Sequence, residues 1–263
     1  MLIGAADDAT DNLLGSLIIA GHFAIPEVAL YFNYKVCSLP KPTTLPSPPN
    51  TPQLFRGNRS TKISATSYDA FASPNLPPLA TITSTGAHVR WDLILPFDPS
   101  RTFRVQQHMH TASVAYVRVF PGITPHLLRT ILSHQPTRGL VLETFGAGNI
   151  PHGPENGLLG VLAEAVSRGV VVVNITQCLS GNVSPLYKPA RELEDAGVLC
   201  GYDLTAEAAL TKLSCLLGRE GSGEGGIGRE EVKRLMGIAL RGELTRGSGV
   251  WFERPIGVGG ARL

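Results

Sequence analysis

The chain has 263 residues, 43% of them hydrophobic, and a formal net charge of +2. That length and apolar content suffice for one large or two modest domains with real cores. The charge is small and unclustered, which excludes a nucleic-acid stripe or a polybasic membrane patch and leaves a small neutral molecule as the default partner.

Near the start, Asp7, Asp8 and Asp11 accompany an apolar run over residues 13–21. The run is too short to cross a bilayer and no positive region precedes it, so it reads as a helix capped by Asp11 and running through Ala20, with no targeting segment. Residues 28–32 read as a strand. Residues 38–53 then hold six prolines among sixteen residues, with Ser and Thr filling much of the rest. Missing amide donors and a composition that supplies no core predict neither helix nor strand there. "LFRGNRSTK", residues 54–62, resumes polar and basic. Cys37, Cys178, Cys200 and Cys215 show no CxxC spacing. They read as reduced thiols of a cytoplasmic protein, and neither metal nor cofactor is expected.

The second half alternates. Residues 114–119 predict a strand, 125–133 a helix, 140–144 a strand, and 157–167 a helix carrying Leu158, Leu159, Leu162 and Val166 on one side. Residues 170–175 form a continuous apolar run rich in valine, the pattern of a central parallel strand covered on both faces. A fourth strand is expected over 198–202. Thr205 caps the next helix, whose Ala209, Leu210, Leu213 and Leu217 form a stripe. Five glycines in residues 219–228 read as a flexible loop before an amphipathic helix of Val232, Leu235, Met236 and Ala239. Strand and helix thus alternate four times, which predicts an α/β fold with an open parallel sheet and helices on both faces. Rossmann-like and flavodoxin-like windings fit equally.

Ligands of such sheets bind beyond the carboxyl ends of the strands. "GAGN" in "GLVLETFGAGNIP" (139–151) follows one strand, and "TQCLSGN" (176–182) follows its neighbour, so both loops are expected at one edge. Gly146 and Gly148 permit positive φ and close backbone approach, while Asn149 offers an amide that donates and accepts. A glycine-rich turn that meets no ligand has the same pattern. The dinucleotide fingerprint is excluded, because Pro151 stands where its last glycine belongs.

Several blocks in order, "DNLLGSLIIAGHFAIPEVALYFN", "FRGNRSTK", "FASPNLPPLAT", "GLVLETFGAGNIP", "VVVVNITQCLSGNV", "DLTAEAALTKLSCLLG" and "LRGEL", resemble the bacterial-type cytosolic (type I) L-asparaginases in the form found in eukaryotes such as fungi. The resemblance implies a two-domain amidohydrolase that uses a nucleophilic Thr on the side-chain amide of L-asparagine, with a second Thr, an Asp and a Lys handling protons. A homo-oligomer, dimer or tetramer, is implied with it. Lys62 matches that lysine; without the resemblance it is an ordinary exposed Lys. Asn149 matches a residue that reaches substrate bound in a neighbouring subunit. Thr61 and Cys178 match an effector site for asparagine, although a small buried thiol explains Cys178 as well.

Two departures stand out. The "TGGT"-type and "HGTDT"-type threonine motifs of the family occur nowhere in these residues, and Met1 falls where the family is already past both. Residues 1–112 are accordingly expected to be a remnant of the N-terminal domain, 113–250 a flavodoxin-like C-terminal domain, and 251–263 a tail, with no activity in the chain alone. A non-catalytic asparagine-binding or subunit-pairing module is the alternative. Second, deleting the eighteen residues 36–53 joins Lys35 to Leu54 and restores the family pattern. Every Val codon begins GT and one Gln codon is CAG, so the segment has the ends of an in-frame unspliced intron; a genuine surface loop is the other reading.

Overall fold

The computed structural model describes residues 9–32, 51–67, 69–83, 85–100, 109–134, 137–151, 157–221 and 226–245. The chain divides into two compact units, Met1–Asp98 and Pro99–Leu263.

The first unit opens with helix α1 (Ala9–His22), followed by strand β1 (Ala29–Phe32). Asp11 lies inside the first helical turn, so it does not cap the helix as expected; its charge, after burial, raises the Tyr31 pKa. The helix can lie against β1 because Gly15 has no side chain: a Cβ there would run into the Tyr31 ring. Strands β2 (Gln53–Arg56), β5 (Ala80–Thr83) and β6 (Gly86–Val89) complete an antiparallel sheet in the order β1-β2-β5-β6. Between them, β3 (Thr61–Lys62) and β4 (Phe71–Ala72) form a two-stranded antiparallel ribbon.

One expectation for the proline-rich segment is corrected. Gln53 is not outside regular structure: it opens β2 opposite Phe32 and Thr81, carried into the ladder by its buried neighbours Leu54 and Phe55. Residues 38–50 lie outside the described residues, as does Cys37. Two arginines of the basic stretch 54–62 are buried. Arg56 and Glu27 form a buried ion pair. Arg56 Nη2 also donates to the Leu93 carbonyl at 2.7 Å, and Glu27 accepts the Leu95 amide at 2.7 Å. Arg59 is 2% exposed and donates to the Asn75 carbonyl at 3.1 Å. Arg56 ties the turn before β1 to the segment after β6, and Arg59 ties the turn after β2 to the segment between β4 and β5, as buried charges must be paired and hydrogen-bonded.

The second unit is the open parallel sheet. Its strands are β7 (Val114–Arg118), β8 (Gly139–Thr144), β9 (Val171–Thr176) and β10 (Leu199–Cys200), in consecutive order and all parallel. Helices α2 (Pro125–Ser133), α3 (Leu158–Ser167) and α4 (Lys188–Asp195) make the three crossovers. When strands advance in one direction, right-handed crossovers all fall on one face. Leu140, Leu142 and Val172 accordingly pack with Leu128, Leu162 and Leu193 of those helices. The alternate side chains Val141, Val171, Val173 and Ile175 meet α5 (Ala206–Arg219) and α6 (Arg229–Met236), the chain that follows the last strand. Burial of both faces is why the first part of β8 and of β9, residues 140–142 and 171–173, reads as a continuous hydrophobic run. The result is a flavodoxin-like three-layer α/β arrangement.

Caps fall where the residue types demand. Thr205 accepts the Ala208 amide at 3.2 Å, and Thr124 accepts that of Leu127 at 3.2 Å ahead of Pro125. The fourth strand is shorter than expected. A Cβ at Gly201 would lie 2.7 Å from the Asn174 carbonyl oxygen, and Tyr202 turns to φ +53, which ends the extended chain. The glycine-rich stretch 219–228 is pinned at both ends by a bridge between Glu220 and Ile227. Glu220 also joins Arg138 at 2.6 Å and Arg229 at 2.7 Å. No helix among the described residues is long and apolar enough to cross a membrane.

Candidate functional site

Lys62 and Thr61 belong to the first unit, Asn149 and Cys178 to the second. Lys62 is exposed at the end of the β3–β4 ribbon, opposite Phe71, with its ammonium 5.5 Å from the centre of that ring. Such a contact holds a cation by the ring's quadrupole while leaving its N–H donors free to turn outward. Thr61 is half-buried beside it, opposite Ala72.

Asn149 stands on a short turn at the carboxyl end of β8. Phe145 and Asn149 exchange both backbone hydrogen bonds, at 2.9 and 2.8 Å, which closes "FGAGN" into a loop and leaves the Asn149 side chain exposed. Gly146 at φ +50 and Gly148 at φ +123 supply the left-handed backbone this closure needs. Gly148 has a second reason to be glycine, because a Cβ there would lie 2.7 Å from the Cβ of Ala190 in α4. Helix α4 thus seats the turn, and it does so through a close approach that only a bare backbone permits.

Cys178 lies two residues beyond β9 and is exposed, its amide donating to Thr176 Oγ1 at 3.0 Å. The reading of Cys178 as a small buried thiol is therefore set aside. Burial instead marks Cys200, whose thiol donates to the Val183 carbonyl at 3.5 Å and is pushed up to about 11 by desolvation.

The two loops are held together by residues that the sequence did not single out. Gln177 Nε2 donates to the carbonyls of Val119 and Glu143, at 2.5 and 2.9 Å, and its backbone amide donates to the Thr144 carbonyl at 2.9 Å. One side chain thereby stitches the ends of three strands. Beneath it, buried Thr144 donates to Asn174 Oδ1 at 2.7 Å. The signal was available: Asn174 stands between a run of four valines and Ile175, and a polar group buried in such a strand must have a partner. On the opposite face Glu143 is 7% exposed, 3.4 Å from Arg118 Nε, and its proximity adds to burial in raising the Tyr116 pKa. Asn149 and Cys178 are thus brought to one edge on a rigid base, the geometry for presenting a polar amide outward.

Comparison with known proteins places this architecture. The asparaginase N-terminal domain model matches residues 4–95, and the glutaminase/asparaginase C-terminal domain model matches residues 113–235. The chain therefore belongs to the asparaginase family in both of its units. It is 39% identical over 240 residues to L-asparaginase 1 of Escherichia coli, a match covering 90% of this chain and 62% of the relative. It is also 39% identical over 238 residues to the 60 kDa lysophospholipase of Mus musculus, covering 90% of this chain and 37% of that protein. The crystal structure of L-asparaginase I from Vibrio cholerae superposes with a TM-score of 0.75 at 38% identity, covering 93% of this chain and 65% of that one. The chain spans roughly a third to two thirds of the length of these relatives.

Proposed function

We propose that the biological protein is a homo-oligomeric L-asparaginase that hydrolyses the side-chain amide of L-asparagine to L-aspartate and ammonia, and that these residues form its second, larger part. The observation that carries this reading is the ordered match of both asparaginase domains, with Lys62 and Asn149 each presented at an exposed position on built structure. In this reading Lys62 belongs to the group that takes the proton from the attacking hydroxyl. Asn149 reaches substrate held in a neighbouring subunit, and Thr61 and Cys178 contribute to an effector site for asparagine. A hydroxyl is a poor nucleophile until a base removes its proton, and the tetrahedral oxyanion needs fixed donors. With both threonine motifs missing from these 263 residues, Lys62 has no partner to act on. The chain alone is expected to turn over nothing, because neither threonine motif is among these residues.

Ammonia release from L-asparagine tests this. The chain as it stands is expected to give none above background, while a form extended with both threonine motifs is expected to be active and to lose turnover, with its fold intact, on Lys62→Met. Loss of one member of a coupled catalytic unit costs many orders of magnitude in rate. Turnover by the present chain that vanishes in its own Lys62→Met variant would overturn the reading. A parallel assay with a lysophospholipid is included because relatives 39% and 40% identical bear the lysophospholipase name. The missing motifs favour one second reading, a non-catalytic asparagine-binding or subunit-pairing module. Calorimetric binding of L-asparagine by a form that stays inactive even when extended would select it.

A further inference from the structure

The β7–β8 register pairs Arg118 with Glu143, which puts Val119 opposite Thr144 one step further on. The Val119 amide donates to the Glu143 carbonyl at 2.9 Å and so continues the ladder by one bond. Bonds in a parallel ladder slant evenly, so a residue that donates to the position before its partner accepts from the position after it. The donor due at the Val119 carbonyl is therefore the Phe145 amide. That amide is engaged elsewhere: it donates to the Asn149 carbonyl at 2.9 Å and closes the "FGAGN" turn. The Val119 carbonyl accepts from Gln177 Nε2 instead, at 2.5 Å. A side chain that reaches across β8 from the end of β9 thus takes the place the backbone has given up.

We propose that Gln177 is a positioning residue for Asn149: its side-chain amide substitutes for the Phe145 amide at the Val119 carbonyl and releases Phe145 to close the turn. The Phe145 N–H has two acceptors to choose between. Paired with Val119 it extends the β7–β8 ladder, and paired with Asn149 it bends the chain back. Val119 is 3% exposed, and a buried carbonyl without a donor costs more than a single hydrogen bond returns, so the ladder pairing competes wherever Gln177 is missing. Gln177 is well held for this task. Its backbone amide donates to the Thr144 carbonyl at 2.9 Å, and the second N–H of its side chain goes to the Glu143 carbonyl, also at 2.9 Å. Two further supports, the Ser184 amide on the Ala147 carbonyl at 3.4 Å and the seat of Gly148 against Ala190, steady the closed turn but supply no donor to Val119. The choice of acceptor rests on this geometry alone; its consequence for catalysis rests on the proposed role of Asn149 in reaching substrate.

The test uses the full chain, deuterated, with nitrogen-15 in phenylalanine and carbonyl carbon-13 in either asparagine or valine. The scalar coupling carried through a hydrogen bond is expected to join the Phe145 nitrogen to an asparagine carbonyl in the parent chain. In Gln177→Met, which keeps the length of the side chain and removes both donors, it is expected to move to a valine carbonyl. Gln177→Lys restores a donor of sufficient reach and is expected to bring the asparagine coupling back, a rescue that general loss of packing does not allow. Persistence of the asparagine coupling in Gln177→Met would overturn the proposal. So would loss of both couplings there, which would make Gln177 a general support of the edge, or a valine coupling retained in Gln177→Lys. In the extended form assayed above, Gln177→Met is expected to raise KM for L-asparagine about fivefold or more while kcat stays within about twofold. A change of acceptor with KM unaltered leaves the positioning of the turn standing and counts against the role given to Asn149 alone.

Discussion

At the scale of single residues, the most consequential pair outside the candidate site is Lys212 with Glu243. Both side chains are buried, 2.6 Å apart. Lys212 also donates to the Met236 and Ile238 carbonyls, at 3.2 and 2.5 Å, and Glu243 accepts the amides of Leu240 and Arg241. Burial pushes the Glu243 carboxyl up, but Lys212 and the amide donors outweigh it and hold the group below the usual carboxylate range. Its contribution to stability is therefore complete above the unfolded value, about pH 4.3, and is lost as pH falls through the lower folded value. Urea unfolding followed over pH 2–6 is expected to show that loss, and Glu243→Gln to flatten it. Lys212→Met strands a buried carboxylate and is expected to cost about 3–5 kcal/mol, most of it recovered in Lys212→Met/Glu243→Leu. Gly148→Ala tests the Asn149 turn in the same way. It forces a side chain into φ +123 and into Ala190, so a loss on the order of 1–3 kcal/mol is expected in the same urea assay.

At the scale of elements, the β1–β2 hairpin bears on the proline-rich segment. Its register sets Phe32 opposite Gln53 and Tyr31 opposite Leu54. Removing residues 36–53 brings Lys35 into the place of Gln53, so the same ladder closes through Asn33 and Tyr34 alone, a two-residue connection of the kind hairpins favour. The shortened chain is expected to keep its circular dichroism and to unfold at a temperature no lower than the parent, and transcripts lacking those codons are expected in cDNA. A large drop in unfolding temperature would show that the segment carries packing of its own. The same hairpin shows where reading by pattern stops. The Thr205 cap and the valine run were legible because they are local, whereas the cap expected of Asp11 falls inside its helix. Helix α4 was not legible, since "KPARELED" offers only Ala190 and Leu193 to the core and its role is to receive Gly148 from 42 residues earlier in the chain. The buried fates of Arg56 and Arg59 were equally invisible, because their partners Glu27 and Asn75 come from distant turns. At the candidate site Lys62 and Asn149 came from resemblance, whereas Gln177, which ties three strand ends together, has no local signature.

At the scale of the whole molecule, the two units differ in how completely they bury themselves. The second has a parallel sheet packed on both faces, and its central strands β8 and β9 are buried at every residue. Gly139 lets α5 come close enough that a Cβ there would lie 2.9 Å from Leu213 and Leu217. The first unit has a smaller core, one helix on an antiparallel sheet, with the α1 stripe exposed. Cooperative stability follows the fraction of apolar surface removed from water, and small or half-covered sheets fall short of it. A polypeptide of residues 109–245 is therefore expected to be monodisperse at low concentration and to unfold in urea with coincident circular dichroism and tyrosine transitions. Its slowest-exchanging amides should lie in β8 and β9, which open only with the whole unit. Residues 1–98 alone are expected to aggregate through the edge of β1 and the exposed Leu13, Leu14, Leu17 and Ile18 of α1, and Leu13→Gln/Leu14→Gln/Leu17→Gln/Ile18→Gln to relieve much of that aggregation. If residues 1–98 instead prove soluble and cooperative without those changes, the exposed stripe is tolerated in water, and partial coverage of the sheet does not limit this unit.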